Sequence, residues 1–312
     1  LNFQFAARIL IEVKALLPHR HDHLEAISRV SSVEKKGRAM TFKSILVHFD
    51  IDACPQKRAE FVLELANGFG AELQCVSSAQ PLSLFAAARS AELTVNIMRR
   101  DVAAIEARQR DLHEHIMQHR PFRNHVEWRA EVADPTTTII ERACCADLIV
   151  LFRLDKGQAD DRQRTADQGA VLLAAGRPLL IPSPTMEGLK AHTIVVAWKD
   201  TRETRRAVAD ALPLLRQAQD VVLLTVLEAD GNADPPRDAM HNLQRHNVKV
   251  RSIVEPMQPA SIGETIVDVA TKIEADLIVA GGYGHSRFRE WILGGATQHL
   301  LQHCPLHLLL SN

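Results

Sequence analysis

With 312 residues, 46% of them apolar and 24% charged, the chain has an ordinary globular composition and room for two domains, each with its own core. A formal net charge of −1 offers no basic field to nucleic acid or an anionic membrane, and a lone tyrosine gives little for bases to stack on. Apolar runs stop short of the roughly 18–20 residues of a membrane span, and five cysteines without framework spacing point to a reducing, cytoplasmic setting.

Residues 1–39 begin with a helix-compatible, mildly amphipathic stretch to Leu17 and then turn polar through His19, His21 and His23. They lack the apolar centre and cleavage site of a secretory signal. Met40 stands just before the first convincing strand, so the segment is expected to be a poorly ordered extension and the fold to begin near Met40. From there, branched apolar runs alternate with helical periodicity. Strands are expected near 43–49, 71–77, 125–131, 147–152 and 178–181, with a helix at 55–69 and a long helical stretch at about 83–119. Prolines and a glycine in Pro182–Gly188 mark a boundary. Beyond it, strands are expected near 193–198, 220–227, 248–254, 276–280 and 306–310, with helices at 202–217 and about 235–246.

The second set repeats the first. Phe42-Lys43-Ser44-Ile45-Leu46-Val47-His48-Phe49-Asp50 has its counterpart in His192-Thr193-Ile194-Val195-Val196-Ala197-Trp198-Lys199-Asp200. Ala146-Asp147-Leu148-Ile149-Val150 matches Ala275-Asp276-Leu277-Ile278-Val279, and Pro178-Leu179-Leu180 matches Pro305-Leu306-His307. The expected fold is therefore α/β: two tandem doubly wound domains, at 40–182 and 190–312, each with a mostly parallel five-stranded sheet.

The strand Leu277–Ala280 runs into Gly281, Gly282 and Gly284, and Gly294 and Gly295 open a helix ten residues later. Glycines at Gly281, Gly284, Gly294 and Gly295 let backbone N–H groups approach an anion, and the following helix would add its positive end. Such a cradle at the carboxyl edge of a parallel sheet suits phosphate. Plain turn glycines are the competing reading.

This layout, with Gly281-x-x-Gly284, nine residues, then Gly294 and a small residue, resembles the universal stress protein family in its tandem-domain form. The resemblance covers about Met40 to the end. It implies that the two domains pair through their last strands as an intrachain pseudo-dimer, with a homodimer of the chain a further option. It also implies that the second half binds an adenine nucleotide, ATP first and with Mg2+ as a candidate companion, as a regulatory ligand with little or slow hydrolysis. Ala197, Lys199 and Val226 would line the base and ribose, with Ala280 and Gly281 beside them. Gly284, Arg287, Gly294, Gly295, Ala296 and Thr297 would surround the phosphates. Lys199 stands where the family has an acidic residue, and Gly295 where it usually has a hydroxyl. In the first half, Phe152 and Leu154 replace the glycines and Asp155, Asp160 and Asp161 would repel phosphate, so that half is expected to be degenerate. Asp50 there is expected to be a remnant or a helix cap.

Two rivals remain: an interaction scaffold for unknown protein partners, and an enzyme acting on an adenylated substrate through Lys199 and the arginines. The sequence has no P-loop and no G-x-S-x-G elbow. His115 and His119 share a helix face with no third ligand at a telling spacing, so an exposed helix surface is the favoured reading. Cys144 and Cys145 are expected to be small buried residues before a strand, and Cys54 lies near a helix start.

Overall fold

A computed structural model describes residues 41–81, 91–118, 125–154, 163–227, 235–257, 261–282 and 295–312. The extension expected at 1–39 lies outside them. In the first half, the elements are β1 (Ser44–His48), α1 (Pro55–Phe69), β2 (Glu72–Ser78), α2 (Ala91–Gln118), β3 (Val126–Glu131), α3 (Pro135–Arg142), β4 (Leu148–Val150), α4 (Gln168–Ala174) and β5 (Leu179–Ile181). A 3₁₀ turn, Ala143–Cys145, follows α3. The second half contributes β6 (Thr193–Ala197), α5 (Arg202–Leu215), β7 (Asp220–Leu227), α6 (Arg237–Arg245), β8 (Val250–Pro256), α7 (Ile262–Lys272), β9 (Leu277–Gly281), α8 (Gly295–His303) and β10 (His307–Ser311). The long helix expected from residue 83 is described from Ala91.

Local chemistry sets the helix ends. Pro55 opens α1, where a missing N–H costs nothing, and Gly70 closes it in the left-handed conformation at φ 62°. Asp134 caps α3 by accepting the Thr137 N–H at 2.7 Å, and Ser261 caps α7 through the Glu264 N–H at 3.0 Å.

Ten strands form one sheet in the order β3-β2-β1-β4-β5-β10-β9-β6-β7-β8. Each half thus has the same doubly wound order, and every neighbouring pair is parallel except one. That exception joins the halves: β5 and β10 run antiparallel, with Leu180 opposite Leu309. Both faces of the sheet are buried at its centre, which is why inner strands such as β1, β4, β6 and β9 read as apolar runs, whereas the edge strands β3 and β8 are only partly buried and carry charged residues. Val47, Val150, Val196, Val279 and Leu309 pack on one face, and Leu46, Ile149, Val195, Ile278 and Leu308 on the other. Each of these two layers draws side chains from both halves, and Thr41–Asn312 is one compact unit.

Further contacts tie the halves near the junction. The Ser183 N–H donates to His307 Nδ1 at 3.1 Å, and the His307 ring stacks on Phe61 with centroids 5.4 Å apart. Arg153 of the first half donates to the Leu301 carbonyl in the last turn of α8. Arg206 of the second half donates to the Gly176 carbonyl just beyond α4, at 2.9 Å. Both guanidinium groups meet the negative end of a helix, where a cation is favoured. Among the described residues, no helix is long and apolar enough to cross a membrane.

Candidate functional site

In each half the strand order reverses between the first and fourth strands, β1 and β4 or β6 and β9. Ligands of open α/β sheets settle outside the carboxyl ends of strands at such a switch point. The register makes the two switch points comparable residue by residue. Ser44 pairs with Glu72 as Thr193 pairs with Asp220, and Ile45 with Leu148 as Ile194 with Leu277. Hence His48, Asp50 and Ser78 stand where the second half has Ala197, Lys199 and Val226. Likewise Leu151, Phe152 and Arg153 stand where it has Ala280, Gly281 and Gly282.

In the second half these positions carry little bulk. Ala197 ends β6 directly opposite Ala280 of β9, and both small side chains pack on the same apolar layer of the sheet. Val226 is half-buried and packs against the layer beneath, while Lys199 is exposed. Thr201 caps α5, accepting the Thr204 N–H at 3.3 Å. Gly281 meets this first helical turn: a Cβ there would stand 2.6 Å from the Thr204 nitrogen. Gly281 therefore lets α5 start flush against the sheet. A Cβ on Gly282 would strike Leu172 of the first half at 2.6 Å, and the Gly282 N–H donates to the Ser311 carbonyl at 2.7 Å. Gly295, at the start of α8, has no described residue within 4 Å of where a Cβ would stand, Ala296 is half-buried, and Thr297 is buried. Gly284, Arg287 and Gly294 lie outside the described residues.

One residue at this edge escaped the sequence reading. Glu203, in the first turn of α5, has its Cβ 3.0 Å from the place a Gly281 Cβ would take, and its side chain is 12% exposed beside Arg202 at 3.2 Å. Its signal was weak, since an acidic residue in a first helical turn reads as an answer to the helix dipole.

The first half is filled instead. Asp50 is buried and takes Arg58 Nη1 at 2.7 Å on one oxygen and faces His48 Nδ1 at 3.2 Å with the other. His48 Nε2 accepts the Ser78 N–H at 3.2 Å and lies 3.1 Å from Ser78 Oγ. Arg58, fully buried, also donates to the Arg153 carbonyl at 3.0 Å and lies 5.0 Å from the centroid of the Phe152 ring. Burial pushes the Asp50 carboxyl up, but the hydrogen bond and charge of His48, followed by Arg58, outweigh it and hold the group below its ordinary value. Asp50 is thus no helix cap; Cys54 occupies the N-cap of α1 and makes no side-chain hydrogen bond there. Ser78, His48 and Asp50 are connected like a hydrolytic triad, yet Ser78 has no exposed surface and His48 has 2%. No substrate carbonyl reaches Ser78 Oγ, so the cluster is a hydrogen-bonded plug. Asp155, Asp160 and Asp161 lie outside the described residues.

The remaining candidates resolve differently. His115 is half-buried on α2, and His119 lies outside the described residues. Among the described residues, no group of three or more metal-ligating side chains comes together. Cys144 and Cys145 are exposed, not buried as expected. The 3₁₀ turn that ends α3 buries only Ala143 and leaves the two thiols facing outward.

Residues 237–311 match the sequence model of the universal stress protein family. A universal stress protein from Archaeoglobus fulgidus DSM 4304 superposes with a TM-score of 0.61 at 15% identity, over 86% of this chain and 96% of that one. A functionally unknown protein from Pseudomonas aeruginosa PAO1 gives a TM-score of 0.55 at 16% identity, over 86% and 92%. The curated proteins returned no match. The chain therefore carries a universal stress protein family domain at its carboxyl end, within a fold shared along nearly the whole length of these solved structures.

Proposed function

We propose that the second half holds an adenine nucleotide, ATP first among them, at the carboxyl edge of β6, β7 and β9 as a regulatory ligand. The observation that supports this is the contrast between matched switch points. Where the first half packs Asp50, Arg58, His48 and Phe152 into the crevice, the second offers Ala197, Val226, Ala280 and Gly281. Small apolar side chains at strand ends suit the flat face of a base, and the exposed Lys199 suits a phosphate. Glu203 supplies the hydroxyl-accepting carboxylate that Lys199 cannot. Hydrolysis is slow in this reading, because Glu203 is paired with Arg202 and Ala197, Lys199, Val226 and Gly281 bring no base. Mg2+ would travel with the phosphates rather than reside in the protein.

Titration of the full chain, emptied of ligand, with ATP and with AMP tests the assignment. Lys199→Ala weakens ATP about fivefold, the equivalent of about 1 kcal/mol for an exposed charge pair, and leaves AMP unchanged. Equal loss for both ligands would move Lys199 from the outer phosphates to the part that ATP and AMP share, and loss for neither would remove it from the site. A scaffold role is favoured by one observation, the packing of Gly281 and Gly282 against α5 and Leu172. That reading predicts no nucleotide binding at all.

A further inference from the structure

Two exposed thiols stand side by side far in sequence from the crevice. Cys144 and Cys145 have their sulfur atoms 3.5 Å apart, and Cys144 Sγ also donates to the Glu141 carbonyl at 3.4 Å. The backbone beneath them is held in place. Arg177 donates to the carbonyls of Ala143 and Cys144 at 3.3 and 3.5 Å, and Gln74 Nε2 donates to the Cys145 carbonyl at 3.1 Å. The pair therefore sits on a fixed turn, with both thiols open to solvent.

Their separation selects among soft ligands. An atom bonded to both sulfurs at about 2.3 Å would subtend an angle of about 100°, whereas a linear two-coordinate ion needs sulfurs about 4.6 Å apart. No third ligating side chain joins them among the described residues, so a zinc site of three or four protein ligands does not form here. The matching ligand is bent, thiophilic and brings its own third substituent. The geometry points to Cys144–Cys145 as a chelating site for trivalent arsenic, and for organoarsenicals of that class.

The Cys145 thiol is pushed up from its ordinary value by its hydrogen bond to Cys144 and by the charge that Cys144 would carry; Arg129 and Arg142 act the other way. Cys145 thus holds its proton more firmly than an isolated thiol until a ligand displaces it. With phenylarsine oxide, two S–H bonds break and two As–S bonds form. The two protons leave with the oxide oxygen as water. Arsenic stays trivalent, so no oxidant or reductant is required.

The test uses the full chain, phenylarsine oxide and excess glutathione, read by intact mass. Wild type is expected to keep one arsenical per chain and to release it to a competing dithiol. Cys144→Ser and Cys145→Ser each weaken retention about a hundredfold, because the second sulfur then no longer acts at high effective concentration. Cys54→Ser, which removes an exposed thiol elsewhere, leaves retention unchanged. Peptide mapping of wild type after N-ethylmaleimide provides a readout that needs no variant: the arsenical protects Cys144 and Cys145 together and leaves Cys54 reactive. Wild type that loses the arsenical as readily as the single variants, or protection that falls on other cysteines, overturns the assignment.

Discussion

Asp50 and Arg58 carry the largest single-residue stake in the first half. Their charges meet where 6% and 0% of the residue surface remains exposed, so removing either takes a close counter-charge from the other in a buried setting. Asp50→Asn and Arg58→Ala are each expected to cost about 3–5 kcal/mol, measured by urea unfolding; a loss under about 1 kcal/mol would show that water already reaches the pair. The pH dependence has a separate origin. Burial pushes His307 down to about 4 from an ordinary 6.5, so the fold keeps it neutral over a range in which the unfolded chain takes up a proton. Its contribution is complete above about pH 6.5 and falls away as pH drops towards 4, by about 3 kcal/mol in all. The Asp50 contribution persists through that window and is lost only below the ordinary carboxylate value. Unfolding at stepped pH should show the upper window in wild type and a flattened one in His307→Gln; the same slope in both would assign it elsewhere. None of this was legible in the sequence. Arg58 sits between Lys57 and Ala59 in a helix, where a cation reads as solvated, and only the fold reveals that this face lies over Phe152 and Asp50.

The strands themselves were legible because both faces of the sheet are covered, leaving uninterrupted apolar runs such as Leu277–Ala280 and Ile194–Val196. Their pairing through β5 and β10 came from family likeness, since nothing in Leu179–Ile181 or His307–Ser311 names a partner. The two thiols at Cys144–Cys145 were expected to be buried before β4, but the 3₁₀ turn Ala143–Cys145 buries only Ala143 and turns them outward. The glycines separate cleanly at this scale. Gly281 is required by the approach of α5 to β9, so Gly281→Ala forces the start of α5 outward and is expected to cost about 1–3 kcal/mol in thermal unfolding. Gly295→Ala, with no described residue within 4 Å of its new methyl, is expected to be neutral or to stabilise by about 0.5 kcal/mol. Equal effects at the two positions would contradict the packing between β9 and α5.

Across the whole molecule, one sheet and two apolar layers drawn from both halves bind them together, and among the described residues only the small cluster of Ile51, Ala79, Ile105 and Leu112 belongs to the first half alone. Thermal unfolding is expected to be a single cooperative transition, with calorimetric and van't Hoff enthalpies in agreement; two resolved transitions would mean that the β5–β10 junction opens independently. A division of labour between the halves follows from the same sheet. One switch point is sealed by a buried ion pair, while its counterpart keeps small side chains and an exposed lysine. Whether that difference serves nucleotide binding is tested most directly by purifying the full chain, denaturing it and identifying released nucleotide by mass spectrometry, followed by ATP titration of the emptied protein. The account predicts near-stoichiometric adenine nucleotide, one per chain, and saturable rebinding to a single site. No released nucleotide together with no binding at millimolar ATP would contradict it.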